Sequence, residues 1–258
     1  MQITILSENT SNSAEFGAEH GLSMYIETQH YRILFDMGQS SLFSENAERC
    51  GVDINKVDFA VLSHGHYDHG GGLARFLEIN DHAPVYMSEF AFEAHYNGTE
   101  KYIGLDVSLS KNPRFHYVKE TEKIANGVMV VTLNNNAKQY KIDSAGLKLK
   151  ENGVFVPEDF RHEQYLLIEE DGKKVLFSGC SHKGILDIVE YFMPDVLIGG
   201  FHFSKLPLDE TLTEYANMLN RYATDFYTCH CTGIAQFAHL KQTMPRLRYL
   251  SAGETIYI

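Results

Sequence analysis

The sequence predicts a single domain of layered helices and sheets, in the α/β (α+β) class. Three observations carry that reading. The first half is rich in short strand-like runs joined by tight turns, and the second half alternates strands with helices. No repeat, low-complexity run or Pro/Gly/Ser-rich linker divides residues 1–258, so one layered unit accommodates both halves.

Taken in order, residues 2–7 alternate in polarity and suit an opening strand. Residues 21–28 and 31–37 read as two strands joined by a turn, and 39–50 as a helix after Gly38. Residues 57–63 (VDFAVLS) form a nearly continuous apolar run, the pattern of a strand buried on both faces. A loop rich in histidine and glycine follows at 64–72, and Leu73, Phe76 and Leu77 then recur at helical spacing. A strand is expected at 84–87 and a helix at 88–96. The polar stretch 97–114 reads as a lid or insertion near the site. Strands are expected at 115–119 and 127–133, whereas 134–160 gives no clear pattern. The clearest hairpin joins 164–169 to 174–178 through Glu170-Asp171-Gly172-Lys173. Helix 183–192, strand 195–199, helix 211–222, strand 225–229, helix 234–243 and a strand near 254–258 complete the chain, with Thr211 and Glu214 spaced as a capping box.

Composition narrows the function. Hydrophobic residues make up 44%, enough for a sizeable core without disulfides. No apolar run of membrane-spanning length occurs, and MQITILSENT lacks the pattern of a secretory leader, so a cytoplasmic protein is expected. Cys50, Cys180, Cys229 and Cys231 form no C-x-x-C pair and are expected as free thiols or metal-adjacent groups. The formal net charge of −12 opposes a nucleic-acid role, which needs a basic face. It does not oppose a small-molecule substrate, because a bound cation inverts the local field.

The chemistry is concentrated in Ser63-His64-Gly65-His66-Tyr67-Asp68-His69-Gly70-Gly71-Gly72. Four potential ligands, His64, His66, Asp68 and His69, fall within six residues. Zinc favours imidazole nitrogen and carboxylate oxygen. Leaving a strand, His64 and His66 point the same way and can converge on one ion. Asp68 and His69 sit further round the turn and can serve a second. Asp36, after an apolar strand and before Gly38, is placed to organise this loop from behind. The alternative is a hydrated histidine-rich loop without metal.

This H-x-H-x-D-H segment resembles the signature of the metallo-β-lactamase superfamily. Residues 17–23 (GAEHGLS), 33–38 (ILFDMG), 179–182 (GCSH), 199–202 (GGFH) and 230–233 (HCTG) are similar to its metal-dependent hydrolase branch that includes the dihydropterin–ribofuranosyl-aminobenzene-phosphate synthase-like proteins. The resemblance spans almost the whole chain and implies a four-layer αββα sandwich with metal at one edge. It implies one or two Zn²⁺ ions, with Fe or Mn as alternatives.

It also implies two further histidine ligands. His230, in HCTG, is expected as the C-terminal one. For the middle ligand His182 is favoured and His162, just before the hairpin, is the rival. Where many members carry a bridging aspartate after that hairpin, this chain has Cys180. A cysteine thiolate binds zinc but is softer than a carboxylate. Cys229 and Cys231 flank His230 and are read as structural, because adjacent strand positions face opposite ways. His20, His30, His82, His95, His116 and His239 lack ligand-like spacing, although His95 or His116 would approach the mouth if 97–114 is a lid.

The implied reaction is hydrolysis of a small ester, lactone or phosphoester by a metal-activated water. Asp68 would hold metal and orient the nucleophile. His202 would bind substrate, donate a proton or stabilise developing charge. No G-x-S-x-G elbow competes with this reading. The branch name implies an alternative condensation of a pterin with a phosphoribosyl-arylamine, and the Cys180 departure motivates a non-catalytic ligand sensor. A redox di-iron centre is disfavoured, since such relatives place a glutamate where His66 stands.

Overall fold

The computed structural model describes residues 1–136, 138–140 and 144–258. The chain opens with β1 (Gln2–Ser7), β2 (Ser23–Glu27) and β3 (Arg32–Phe35), then α1 (Leu42–Arg49), β4 (Phe59–Val61), the single turn α2 (Tyr67–Gly70) and α3 (Leu73–Ile79). β5 (Val85–Ser88), β6 (His95–Asn97), β7 (Lys101–Tyr102), β8 (Phe115–Val118), β9 (Thr121–Ala125) and β10 (Val128–Val131) follow. Next come β11 (Leu147–Glu151), β12 (Val154–Pro157), β13 (Tyr165–Glu170), β14 (Lys173–Ser178), α4 (Ile185–Phe192), β15 (Val196–Gly199) and α5 (Glu210–Leu219). β16 (Asp225–Thr228), α6 (Ile234–Lys241), β17 (Arg248–Tyr249) and β18 (Thr255–Tyr257) close the fold.

Among the described residues these strands make two seven-stranded sheets, ordered β18-β1-β2-β3-β4-β5-β8 and β17-β16-β15-β14-β13-β10-β9. A smaller sheet is ordered β12-β11-β6-β7. Alternation along each strand sorts side chains between layers. Leu166 and Ile168 on β13 join Ile3, Ile26, Ile33 and Phe35 in the core between the large sheets. Tyr165 and Leu167 point the other way, into a layer with Ile188, Val189, Leu212 and Leu240 of α4, α5 and α6. Leu34, Ala60 and Leu62 likewise pack on Phe43, Leu73 and Phe76 of α1 and α3. The architecture is therefore αββα. No helix among the described residues is long and apolar enough to cross a membrane.

Strand direction positions the site. β3, β4 and β5 run parallel, as do β14, β15, β16 and β17. The loops that follow β3, β4, β14, β15 and β16 therefore leave from carboxyl ends of strands, where α/β sheets collect their ligands.

Two local expectations, the helix at 88–96 and the cap of α5, are corrected. Residues 88–96 hold the last residue of β5, turns and the start of β6, not a helix, and His95 pairs with Leu149 of β11. The 97–114 stretch contains β7 and a 3-10 turn at Val107–Leu109. Segment 134–160 contains the β11–β12 hairpin, while residues 137 and 141–143 lie outside the described residues. The cap of α5 is Asp209, which accepts the Thr211 N–H at 3.0 Å, in place of the Thr211–Glu214 box. β9 and β17 were not anticipated.

Candidate metal centre

The ligand loop is held from beneath by Asp36. Its carboxylate accepts the Ser63 N–H at 2.6 Å, the Ser63 hydroxyl at 2.7 Å and His69 Nδ1–H at 2.6 Å. Asp36 reaches this position through a left-handed backbone, φ 58°, and Ser181 (59°), His202 (56°) and His230 (49°) share that conformation. Such strain costs on the order of 1–3 kcal/mol per residue and gathers where a site dictates the backbone. Gly65 is required because a Cβ there would lie 2.1 Å from the Ala91 carbonyl oxygen. Gly179 is required because its Cβ would meet the Ser63 hydroxyl at 2.1 Å.

Hydrogen bonds fix the tautomers. Ser63 gives its hydroxyl hydrogen to Asp36, so it accepts from His64 Nδ1–H at 2.8 Å. His230 Nδ1–H donates to Asn9 Oδ1 at 2.8 Å, and that oxygen also accepts the Gly21 N–H. In His64, His69 and His230 the hydrogen is thus committed at Nδ1 and the Nε2 lone pair is left free. The Nε2 atoms of His69 and His230 nevertheless stand 3.2 Å apart. Cys180 Sγ lies 3.3 Å from His69 Nε2, and Asp68 Oδ2 lies 3.3 Å from His230 Nε2. Ligands about 2.0–2.1 Å from a tetrahedral zinc are about 3.3–3.4 Å from one another, so these spacings fit a coordination polyhedron.

A second set gathers beside it. The ligand atoms of His64, His66 and His182 lie within 4.8 Å of one another, all buried. His64 Nε2, His66 Nε2 and both nitrogens of His182 are buried without hydrogen-bond partners. Unpaired buried polar atoms are costly, and four in one place mark the seat of a ligand. Cys180 is grouped at the same distance with His64 and His69, with His182 and His202, and with His230 and Cys231. It therefore sits between the two sets.

His162 differs. Its Nδ1 accepts the Gly65 N–H at 2.9 Å, so its hydrogen is on Nε2; that atom too is buried without a partner, and a ligand atom of His162 lies within 4.8 Å of those of His66, His95 and Glu158. The ring stacks on His95, 3.9 Å between centroids, and His95 Nδ1 pairs with Glu158 at 2.8 Å. His95 is thus buried behind His66. His116 is exposed and pairs with Glu122.

The charge states follow from these contacts. Burial, then neighbouring imidazoles, hold His64 well below its ordinary pKa; burial, then His202, does the same for His182. Burial opposes charge on His69 too, yet Asp36 and Asp68 lift its pKa above the usual value. Burial would raise the Asp68 carboxyl, but His69, His20 and His230 keep it well below the carboxylate range. Burial and Cys231 push the Cys180 thiol well up, so a thiolate there needs a cation beside it.

The supporting residues carry little signal at the level of sequence. His20 Nε2 lies 3.2 Å from Asp68 Oδ2. Buried Glu163 accepts the N–H groups of His182 and Lys183 at 2.7 and 2.9 Å, and buried Glu8 accepts the His230 N–H at 2.6 Å. The one available signal was local: Glu8, Asn9 and His20 sit just after β1 or just before β2, beside the recognised GAEHGLS. Cys229 packs in the inter-sheet core, as expected of a structural residue. Cys231 does not: its sulfur accepts the His202 N–H at 3.3 Å, and it lines the site.

A cavity of about 170 Å³ opens over the cluster, lined by His20, Asp68, Cys180, His182, His202 and His230 among others. His202 Nδ1 is buried there without a partner. Asn97, Lys101 and Ile103, from the stretch read as a lid, form part of its wall. A larger hollow of about 450 Å³ at the far end of the sandwich, by residues 28–31, holds one histidine, His30, and no cluster.

Residues 16–222 match the family model described as metallo-beta-lactamase superfamily. A Methanocaldococcus jannaschii protein named uncharacterized protein MJ0448 is 32% identical over 93% of this chain and 94% of its own. From the same organism, a 7,8-dihydropterin-6-methyl-4-(beta-D-ribofuranosyl)-aminobenzene-5'-phosphate synthase is 26% identical over 98% of this chain and 95% of its own. The crystal structure of Tm1679, a metal-dependent hydrolase of the beta-lactamase superfamily, superposes with a TM-score of 0.86 at 28% identity, covering 100% of this chain and 99% of that one.

Proposed function

The chain belongs to the metallo-β-lactamase superfamily, and from that premise we propose that it is a metal-dependent hydrolase acting on a small ester, lactone or phosphoester. One observation carries the reading. His64, His69 and His230 have their Nδ1 hydrogens committed to oxygen partners, which leaves each Nε2 lone pair free for a cation, and the Nε2 atoms of His69 and His230 stand 3.2 Å apart.

His64, His66 and His182 would hold one ion; Asp68, His69 and His230 would hold a second, with Cys180 between them. The hydrogen on His162 Nε2 supports His182 as the third ligand of the first set. Imidazole, thiolate and a single carboxylate suit zinc better than manganese, which prefers oxygen. A divalent ion bound there supplies Lewis acidity, bringing a water's pKa toward neutrality and neutralising charge that develops on a carbonyl or phosphoryl oxygen.

The chain's own residues do the rest. Asp68, held ionised, offers an oxygen that orients the attacking water by accepting its hydrogen. His202 lines the cavity with a free Nδ1 and is placed to bind substrate or pass a proton to the leaving group. Glu163 and Glu8 hold the backbone of His182 and His230 in position. A condensing activity is the second reading, favoured by the relative named as a synthase.

The test is zinc content per chain with anomalous scattering from crystals, followed by assays on ester, lactone and phosphodiester substrates with and without chelator. Zinc at His64, His66 and His182 with chelator-sensitive turnover is expected. Turnover that survives complete metal removal would overturn the proposal; a loaded protein inert on every substrate would point to condensation or ligand sensing.

A further inference from the structure

The cavity over the metal centre has a charge pattern unlike the rest of the molecule. The chain carries 34 acidic and 22 basic residues. Yet apart from histidines and cysteines, the ionisable side chains described around this cavity are Asp68, Tyr67, Lys101 and Lys205. Asp68 is taken up by three imidazoles. The remaining polar side chains of the wall, Asn97 and Ser204, are neutral groups able to donate hydrogen bonds, as is the Tyr67 hydroxyl.

The two lysines come from separate elements, Lys101 from β7 of the small sheet and Lys205 from the loop after β15. Neither ammonium faces a carboxylate among the described residues. Lys101 Nζ lies 3.4 Å from the Tyr67 hydroxyl, and Lys205 Nζ donates to the Ala145 carbonyl at 3.1 Å. Two ammonium groups whose partners among the described residues are neutral, at the rim of a small concave site on an acidic protein, focus a local positive field.

Resting on the hydrolase reading, we propose that the substrate carries an oxyanion group, a phosphate or a carboxylate, which Lys101 and Lys205 bind at the rim while the scissile bond lies over the histidine cluster. Lysine suits this task as a compact point charge on a flexible stem that can follow the ligand in. The cavity of about 170 Å³ is below the usual range for drug-sized ligands, which fits a small anionic metabolite or the anionic end of a larger one.

The test is calorimetric titration of inorganic phosphate, sulfate and acetate into the intact chain, zinc-loaded and metal-free, for the wild type, Lys101→Met and Lys205→Met. Each substitution is expected to weaken phosphate binding roughly ten-fold, the loss of one charge-assisted contact, with zinc content unchanged. Phosphate and sulfate binding more tightly than acetate assigns a phosphate-type group, and the reverse order assigns a carboxylate. Equal affinities in wild type and both variants, or no binding of any of the three anions, overturn the proposal. Lysine-dependent anion binding in a chain that takes up neither zinc, iron nor manganese would leave the anion site standing and remove the hydrolase reading.

Discussion

Asp36 Oδ2 lies 2.6 Å from His69 Nδ1, with both side chains fully buried. The same carboxylate orders Ser63, and through it His64, so one acidic group sets the hydrogen positions of a histidine in each of the two sets. Replacing Asp36 by Asn removes the charge and leaves the shape. Such outer partners are worth about 10–100-fold in metal affinity, and Asp36→Asn is expected to lose that much zinc affinity in competition with a chromophoric chelator. An unchanged affinity would show that the carboxylate serves folding alone.

His182 and His162 make opposite predictions. His182→Ala should abolish zinc binding at the first set. His162→Ala should keep the zinc but strand the buried Gly65 N–H, costing about 1–3 kcal/mol. Metal analysis and urea denaturation of the two variants read both effects. Zinc lost from His162→Ala and retained by His182→Ala would reverse the assignment.

Cys180 can be interrogated spectroscopically. Cobalt(II) substituted into the protein should show a thiolate-to-metal charge-transfer band in the near ultraviolet, and Cys180→Ser should remove most of it while cobalt stays bound. Cys231, whose sulfur already accepts the His202 N–H, is the control: if Cys231→Ser removes the band and Cys180→Ser does not, the thiolate ligand has been misassigned.

What the sequence made legible follows range of interaction. His64, His66, Asp68 and His69 were visible because six residues leaving a buried strand carry four donors. The 164–178 hairpin was visible because its pattern and turn are local. His95 and Glu158 meet across 63 positions, and the small sheet forms by pairing β6 with β11, so neither announced itself. His20 reaches Asp68 only because its loop folds back over the ligand turn. The proposed choice of His182 over His162 rests on a hydrogen position, set by a backbone N–H 97 residues from His162.

Acid should strip the two sets in sequence. A zinc ligand must be a neutral imidazole, so protons compete wherever the folded pKa is high. His64, His66 and His182 are held well below 6.5, by burial and then by their neighbours, and they stay neutral as pH falls through that value. His69 is raised despite its burial, by Asp36 and Asp68, and takes up its proton first. Zinc should therefore leave the Asp68–His69–His230 set at higher pH than the His64–His66–His182 set. The metal-free fold should respond in the same direction. Depressed folded pKa values mean that the unfolded chain binds more protons below about 6.5, so stability is full above that pH and is lost as pH falls toward the folded values. His69 works the other way, adding stability below about 6.5 that is lost as pH rises through its folded value, but it is one group against four, because burial and then His95 hold His162 low as well. Zinc per chain after dialysis between pH ~7.5 and ~5, with anomalous scattering from crystals at both ends, reads the order. Loss from the His64–His66–His182 set first would mean that the Asp36 pairing does not control protonation at His69.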